Sequence, residues 1–198
     1  MIRLFTMADA ITLANGVAGT ASILATLQYM DTRDARILWL AFGLLPLSLF
    51  FDVLDGRVAR RRQAGSSDLG RELASLADLI SFGVAPAVLG FAVGLRGAWD
   101  AVVLVFFVSC GLARLARYNV SADALSDETG KVRYFEGTPI PTSLLLVALL
   151  MVLAWSGRID DSIPLGWTRF LGGKFHPLVG LYFLSGCAMI SRVRIPKL

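Results

Sequence analysis

Asp52 and Asp55 stand one helical turn apart near the end of an apolar segment, and Asp78 lies inside the next one. Residues at i and i+3 or i+4 share a helix face, so Asp52 and Asp55 project together, as do positions 74 and 78. Carboxylates at membrane depth are costly, and their default reading is a functional site. With no cluster of His or Cys nearby, three acids suit a hard, oxygen-liking divalent cation such as Mg²⁺ or Mn²⁺. Gly56 and Ala59 continue the face of the acids and leave room for a bulky ligand against the backbone. Arg60 offers a guanidinium fork, which suits phosphate. Two such faces on adjacent antiparallel helices describe a metal-bridged pyrophosphate site, in which cations neutralise charge during phosphoryl transfer. Position 74, one turn before Asp78, is Ala and supplies no oxygen.

The elements that must hold these residues are membrane helices. The chain has 198 residues, 56% of them hydrophobic, with a mean hydropathy of +0.66, too apolar for an ordinary soluble domain. Its charges are clustered, leaving apolar runs at 10–30, 37–56, 73–95, 98–113 with an Arg-bearing extension to 120, 138–156 and 175–191. A bilayer core of ~30 Å needs about 20 residues, so the expectation is an all-α integral membrane protein of six transmembrane helices forming a single domain over 1–198. The fourth run is the weakest, with Asp100 at its start and Arg114 and Arg117 at its end. Six spans put both termini on one side, together with the loops at 57–72 and 114–137. That side carries 13 of the 19 Lys and Arg residues, so the positive-inside rule places both termini in the cytoplasm. The first run is too long for a signal peptide and has no convincing cleavage site.

Other features read as structural. Cys110 and Cys187 fall inside apolar runs and read as small core residues. His176, beside Pro177, reads as an interfacial residue opening the last helix. The Arg60-Arg61-Arg62 run serves as a topology signal, or meets anionic headgroups or a phosphate substrate. A nucleic-acid partner is disfavoured, because the patch is short and lacks interleaved aromatics. Breaker residues at 61–69 make a loop with Ser66, Ser67 or Asp68 available to cap the next helix. Gly137 to Pro141 fixes the start of the fifth helix, and 157–174 reads as a surface turn carrying an interfacial Trp167. A transporter would spread acids along a path, often with inverted repeats, and neither is visible.

Asp52-x-x-Asp55-Gly56-x-x-Ala59-Arg60, followed by Gly70 and Asp78, resembles the signature of the CDP-alcohol phosphatidyltransferase family at every fixed position but one. Where the family has its third Asp, this chain has Ala74. The stretches Ser75 to Ala87, Ala113 to Asn119 and Phe135 to Pro141, with Ile11 to Asn15, resemble the phosphatidylserine synthase branch. The resemblance implies that CDP-diacylglycerol binds with its pyrophosphate on two divalent ions, Mg²⁺ or Mn²⁺. An alcohol, L-serine in that branch, then attacks the lipid-bearing phosphorus and CMP leaves. It implies Asp52, Asp55 and Asp78 as metal ligands, with Asp78 also the base for the alcohol. Thr12, Asn15, Asp52, Asp55, Gly56, Ala59, Arg60 and Gly70 would bind the CDP moiety. Arg114, Arg117 and Asn119 are the candidates for the acceptor, since Arg suits a carboxylate. The resemblance also implies a homodimer among membrane lipids, in a prokaryotic-type inner (plasma) membrane with the site facing the cytoplasm.

Ala74 removes a charge and two oxygens from that set. Glu72 falls on roughly the opposite side of the helix and Asp68 precedes it, so the expectation is weaker metal binding and severely reduced turnover. Otherwise intact surroundings favour a substitution introduced into an active enzyme over natural decay. Inositol-phosphate and glycerol-phosphate transferases of the same family, with Arg117, Arg133 and Lys131 as a phosphate pocket, are the alternatives within the class. A non-catalytic nucleotide- or lipid-binding membrane protein is the alternative outside it.

Overall fold

The computed structural model describes residues 6–60, 68–125 and 134–196. They fall into two compact units, Met1–Ala85 and Pro86–Leu198.

The first unit opens with α1 (Met7–Thr32), started by a capping box. The amide of Thr6 donates to Asp9 Oδ2 at 2.7 Å, and the amide of Asp9 donates to Thr6 Oγ1 at 3.3 Å. It ends at Arg33 in the left-handed conformation (φ 55°). Next come α2 (Ala35–Arg60) and α3 (Asp68–Asp78), which runs directly into a π-helical turn, Leu79–Val84. Pro86, which comes two residues after that turn, has no N–H to return to the Phe82 carbonyl. The ladder instead widens so that Ala85 N–H donates to Ile80 O.

α1 is built inside out by the standard of a soluble helix. Its packed stripe, Thr12, Asn15, Ser22 and Thr26, is small or polar and buried, while Val17 and Leu24 on the opposite face are 66% and 62% exposed. In lipid, apolar side chains face outward, and helices associate through small residues and interhelical hydrogen bonds. Ser22 Oγ accordingly donates to Ala41 O of α2 at 2.8 Å. Gly19 lets α1 approach the π turn, for a Cβ there would sit 2.8 Å from Ser81 Cα. Gly19→Val is expected to cost about 1–3 kcal/mol by overpacking. Thermal unfolding in detergent would show it as a lowered Tm, with Thr20→Val on the exposed face unchanged.

In the second unit, α4 (Ala85–Ala92) is followed by α5 (Ala98–Leu125), β1 (Tyr134–Glu136), α6 (Leu144–Trp155), the hairpin β2 (Thr168–Phe170) and β3 (Gly173–Phe175), α7 (Gly180–Ile190) and β4 (Arg194–Pro196). β1 pairs antiparallel with β4, and β2 with β3 around Leu171 and Gly172, both at positive φ. α5 packs on α7 where Gly186 exposes backbone to Phe107 and Cys110. Phe107 meets Tyr182 edge to face at 5.2 Å, and Phe106 stacks on Phe183 at 5.2 Å. Tyr182 Oη donates to Pro86 O at 2.8 Å. Cys110 and Cys187 are free thiols.

Each of the six apolar runs is helical. Four are long and apolar enough to cross a membrane: Met7–Thr32, Ala35–Val58, Leu69–Ala92 and Ala98–Val120. These mark an integral membrane protein. The other two, Ile140–Trp155 and Pro177–Ile190, are shorter, because each begins as a 3₁₀ turn after a proline-containing segment. The weak fourth run becomes the longest helix. Asp100 does not interrupt it, because its carboxylate is used at the helix start, taking the Gly97 N–H at 2.7 Å. Within 157–174 a short hairpin replaces the expected plain turn, and Trp167 is covered by Lys174 Nζ at 4.8 Å from its ring.

Candidate functional site

In the first unit, α2 brings the acids to α1. Its packed stripe Ala41, Leu45, Ser48 continues at helical spacing to Asp52 and Asp55, so the same face that buries apolar groups lower down presents carboxylates at its end. Asp55 is buried and accepts a hydrogen bond from Thr12 Oγ1 at 2.5 Å. On α3, Asp78 accepts from Asn15 Nδ2 at 3.0 Å. Asp52 and Asp78 lie within hydrogen-bonding reach of each other, and Asp55 is close enough to Asp52 to repel it. Carboxylates brought this near repel one another when ionised, and a cation or a proton shared between them relieves that repulsion.

Thr12 and Asn15, expected to bind the CDP moiety, each grip one of the acids. Asn15 is fully buried, and its main-chain carbonyl accepts from Ser81 Oγ at 3.0 Å and Ser48 Oγ at 3.4 Å. Sequence reasoning missed Ser48 and Ser81, whose hydroxyls join α1 to its neighbours at the level of the acids. Their signal was available: a Ser on the packed face of an apolar helix needs a partner.

Gly56 follows Asp55 on α2, and Gly70 lies in the first turn of α3, both half-buried. Ala59 and Arg60 end α2, and their side chains lie outside the described part, as do Arg61, Arg62, Ser66, Ser67, Lys131 and Arg133. Ala74 is half-buried one turn before Asp78, and Glu72 is exposed.

Among the described residues, no group of three or more His, Cys, Asp or Glu side chains converges as a metal site. Asp52 and Asp78 do lie within hydrogen-bonding reach, and on the carboxamide that donates to Asp78 the Oδ1 of Asn15 is buried with no hydrogen-bond donor. The donors present are all hard oxygens, so they fit one divalent cation at the Asp52–Asp78 edge. The methyl of Ala74 leaves the set short of what two ions would require.

An apolar groove of about 430 Å³ runs between α1 and α3, lined by Leu13, Gly16, Val17 and Leu24 on one side and Leu73, Leu76 and Ile80 on the other. On α1 its residues Leu13 and Gly16 directly follow Thr12 and Asn15, which hold the acids.

The acceptor candidates belong to the second unit, on α5. Arg114 is buried with its guanidinium 5.6 Å from the Tyr118 ring centre. Arg117 donates to the carbonyls of Ile190, Met189 and Ser191 at 3.3–3.5 Å, closing the C-terminus of α7. Arg117→Ala is expected to lower stability by about 1 kcal/mol, read as a reduced Tm in detergent. Asn119 is half-buried two residues further along.

Fold and site together define a membrane-embedded helical protein with an oxygen-rich carboxylate cluster held by its first three helices. The chain belongs to the CDP-alcohol phosphatidyltransferase family, whose sequence profile matches residues 5–175. A CDP-diacylglycerol–serine O-phosphatidyltransferase of Saccharomyces cerevisiae is 47% identical over 203 residues, which cover 100% of this chain and 72% of the relative. One from Methanocaldococcus jannaschii is 30% identical over 195 residues, covering 98% of this chain and 76% of the relative. One from Helicobacter pylori strain J99 is 38% identical over 161 residues, covering 80% of this chain and 61% of the relative.

Proposed function

We propose that this chain is built to transfer a phosphatidyl group from CDP-diacylglycerol to L-serine, releasing CMP and forming phosphatidylserine, and that Ala74 impairs it. The observation that carries the reading is the meeting of Asp52 and Asp78, each on a family motif position, with Asp78 aimed by Asn15. The yeast, archaeal and Helicobacter relatives are named for the same reaction.

The serine hydroxyl oxygen bonds to the lipid-bearing phosphorus, the bond from that phosphorus to the CMP oxygen breaks, and the hydroxyl proton passes to a carboxylate. Asp78 is the proposed acceptor of that proton, and position matters more than basicity for a carboxylate in this role. Asn15 fixes the orientation of the Asp78 carboxylate by donating to its Oδ1. Thr12 fixes Asp55 in the same way. Asp52, Asp55 and Asp78 would hold the divalent cation, Mg²⁺ or Mn²⁺, which supplies charge neutralisation on the pyrophosphate oxygens. Gly56, Ala59, Arg60 and Gly70 are proposed to shape the nucleotide pocket. Arg114, Arg117 and Asn119 are proposed for the serine carboxylate. The groove between α1 and α3 supports a lipid-linked donor, since an acyl chain gains about 0.8 kcal/mol per buried CH₂.

The proposed setting is a single functional domain over 1–198 with six spans, both termini and the site at the cytoplasmic face of an inner (plasma) membrane. The short helices Ile140–Trp155 and Pro177–Ile190 supply the fifth and sixth spans, and the Lys and Arg asymmetry supports the orientation. A homodimer is proposed with it.

The experiment is product identification. The Ala74→Asp chain in detergent or vesicles, with Mn²⁺ or Mg²⁺ and CDP-diacylglycerol, is offered serine, inositol phosphate, glycerol phosphate or no acceptor. Phosphatidylserine formed only with serine supports the reading. A preference for either phosphate-bearing acceptor overturns it in favour of that sister activity.

A further inference from the structure

We propose that the carboxamide oxygen of Asn15 is a ligand of a single divalent cation held with Asp52 and Asp78, supplying part of what position 74 lacks. The inference rests on the metal-assisted reading of the site and adds to it a residue whose type gives no carboxylate.

Asn15 is fully buried, and its Nδ2 donates to Asp78 Oδ1 at 3.0 Å, so the carboxamide faces Asp78. A carboxylate only accepts, which fixes the NH₂ towards Asp78 and leaves Oδ1 as the remaining polar atom. That oxygen has no donor. Buried acceptors are nearly always satisfied, and one left bare on the carboxamide that donates to Asp78, itself within reach of Asp52, is placed for a cation. The residue cannot readily turn away, because α1 is held at this point from both sides. Ser81 Oγ of the π turn donates to the Asn15 carbonyl, Ser48 Oγ of α2 shares its proton between that carbonyl and Leu44 O of its own helix, and Gly19 admits Ser81 at close range. The donor set is then two carboxylates and one amide oxygen, hard ligands of the kind Mg²⁺ and Mn²⁺ prefer.

The test measures Mn²⁺ binding to the full chain as it stands, Ala74 included, in detergent without nucleotide or acceptor. Free Mn²⁺ is followed by electron paramagnetic resonance, with Tm recorded at each concentration. The parent is expected to bind a single Mn²⁺, and Asn15→Leu to weaken that binding by about tenfold or more. Asn15→Asp keeps the oxygen, adds charge and loses the donor to Asp78. It is expected to lower Tm without metal, tighten Mn²⁺, and show a larger Mn²⁺-induced rise in Tm than the parent. A parent that binds no Mn²⁺ at millimolar concentration overturns the proposal, as does Asn15→Leu with parental affinity. Weakened binding in Asn15→Asp overturns it too, since the carboxamide would then act only as a donor positioning Asp78. If Asn15→Leu does not fold, the Asn15→Asp result decides alone. Asn15-dependent Mn²⁺ binding in a chain that releases no CMP even as Ala74→Asp would remove the transferase reading and leave the cation site standing.

Discussion

Replacing Ala74 by Asp is expected to raise CMP release from CDP-diacylglycerol and serine by at least about 100-fold over the parent chain. Position 74 lies one turn from Asp78 on α3, so a carboxylate there joins the face that meets Asp52. The site is half-buried, with room for a side chain that reaches solvent or a ligand rather than a packed core. Charge stabilisation by a bound cation during phosphoryl transfer is worth several kcal/mol, and each ~1.4 kcal/mol is a factor of ten in rate. Ala74→Asn separates charge from ligation: it returns an oxygen without the negative charge and is expected to recover only a small part of the rate. The measurement is initial-rate CMP formation at saturating Mn²⁺ for the three chains. If Ala74→Asp is as silent as the parent, the acids are a remnant, and nucleotide or lipid binding becomes the better account.

The second large effect concerns stability in the other unit. Asp100→Ala is expected to destabilise the fold by about 3–5 kcal/mol, because it removes the acceptor of three buried hydrogen-bonding groups at about 1–3 kcal/mol each. Asp100 has no exposed surface, and its carboxylate takes the amides of Gly97 at 2.7 Å and His176 at 2.8 Å together with His176 Nδ1 at 2.5 Å. One side chain thus starts α5 and fastens the strand that leads into α7. Alanine leaves two amides and a buried imidazole unpartnered at once. Asp100→Asn, which keeps one acceptor oxygen, is expected to lose less, and His176→Ala less again, since the two amide bonds survive it. Thermal unfolding in detergent gives the order directly. An Asp100→Ala Tm indistinguishable from the parent's would show that this cluster carries no stability.

The acids of the site were legible because their information is local. The i, i+3 spacing of Asp52 and Asp55 and the small residues after them need only one helix to make sense. The grip of α1 on those acids was not legible in the same way. Thr12 and Asn15 lie 43 and 63 positions from the carboxylates they hold, and nothing in the spacing of an apolar run says which of its polar residues faces which neighbour. The Asp100–His176 pairing, 76 positions apart, was hidden for the same reason, so each residue alone read as an interruption or an interfacial group. The helical character of the apolar runs followed from hydropathy, but the starts of the last two did not. Ile140–Ser143 and Pro177–Val179 belong to the same apolar runs as the helices they lead into, and wind as 3₁₀ turns because of the prolines beside them.

On the proposed six-span arrangement, those two late starts have a consequence for the surrounding lipid. With their leading turns, Ile140–Trp155 and Pro177–Ile190 rise only about 22–26 Å, against a hydrocarbon core of ~30 Å. Hydrophobic mismatch of this size costs a fraction of a kcal/mol per Å unless the bilayer thins around the short helices. Trp155, 82% exposed at the end of its helix, is the kind of residue that pins a helix end to the headgroup level and resists its sinking. With six spans, the bilayer adjusts to the protein. A protein shaped this way partitions towards thin membranes, and its stability becomes a function of host-lipid chain length quite apart from any lipid it consumes.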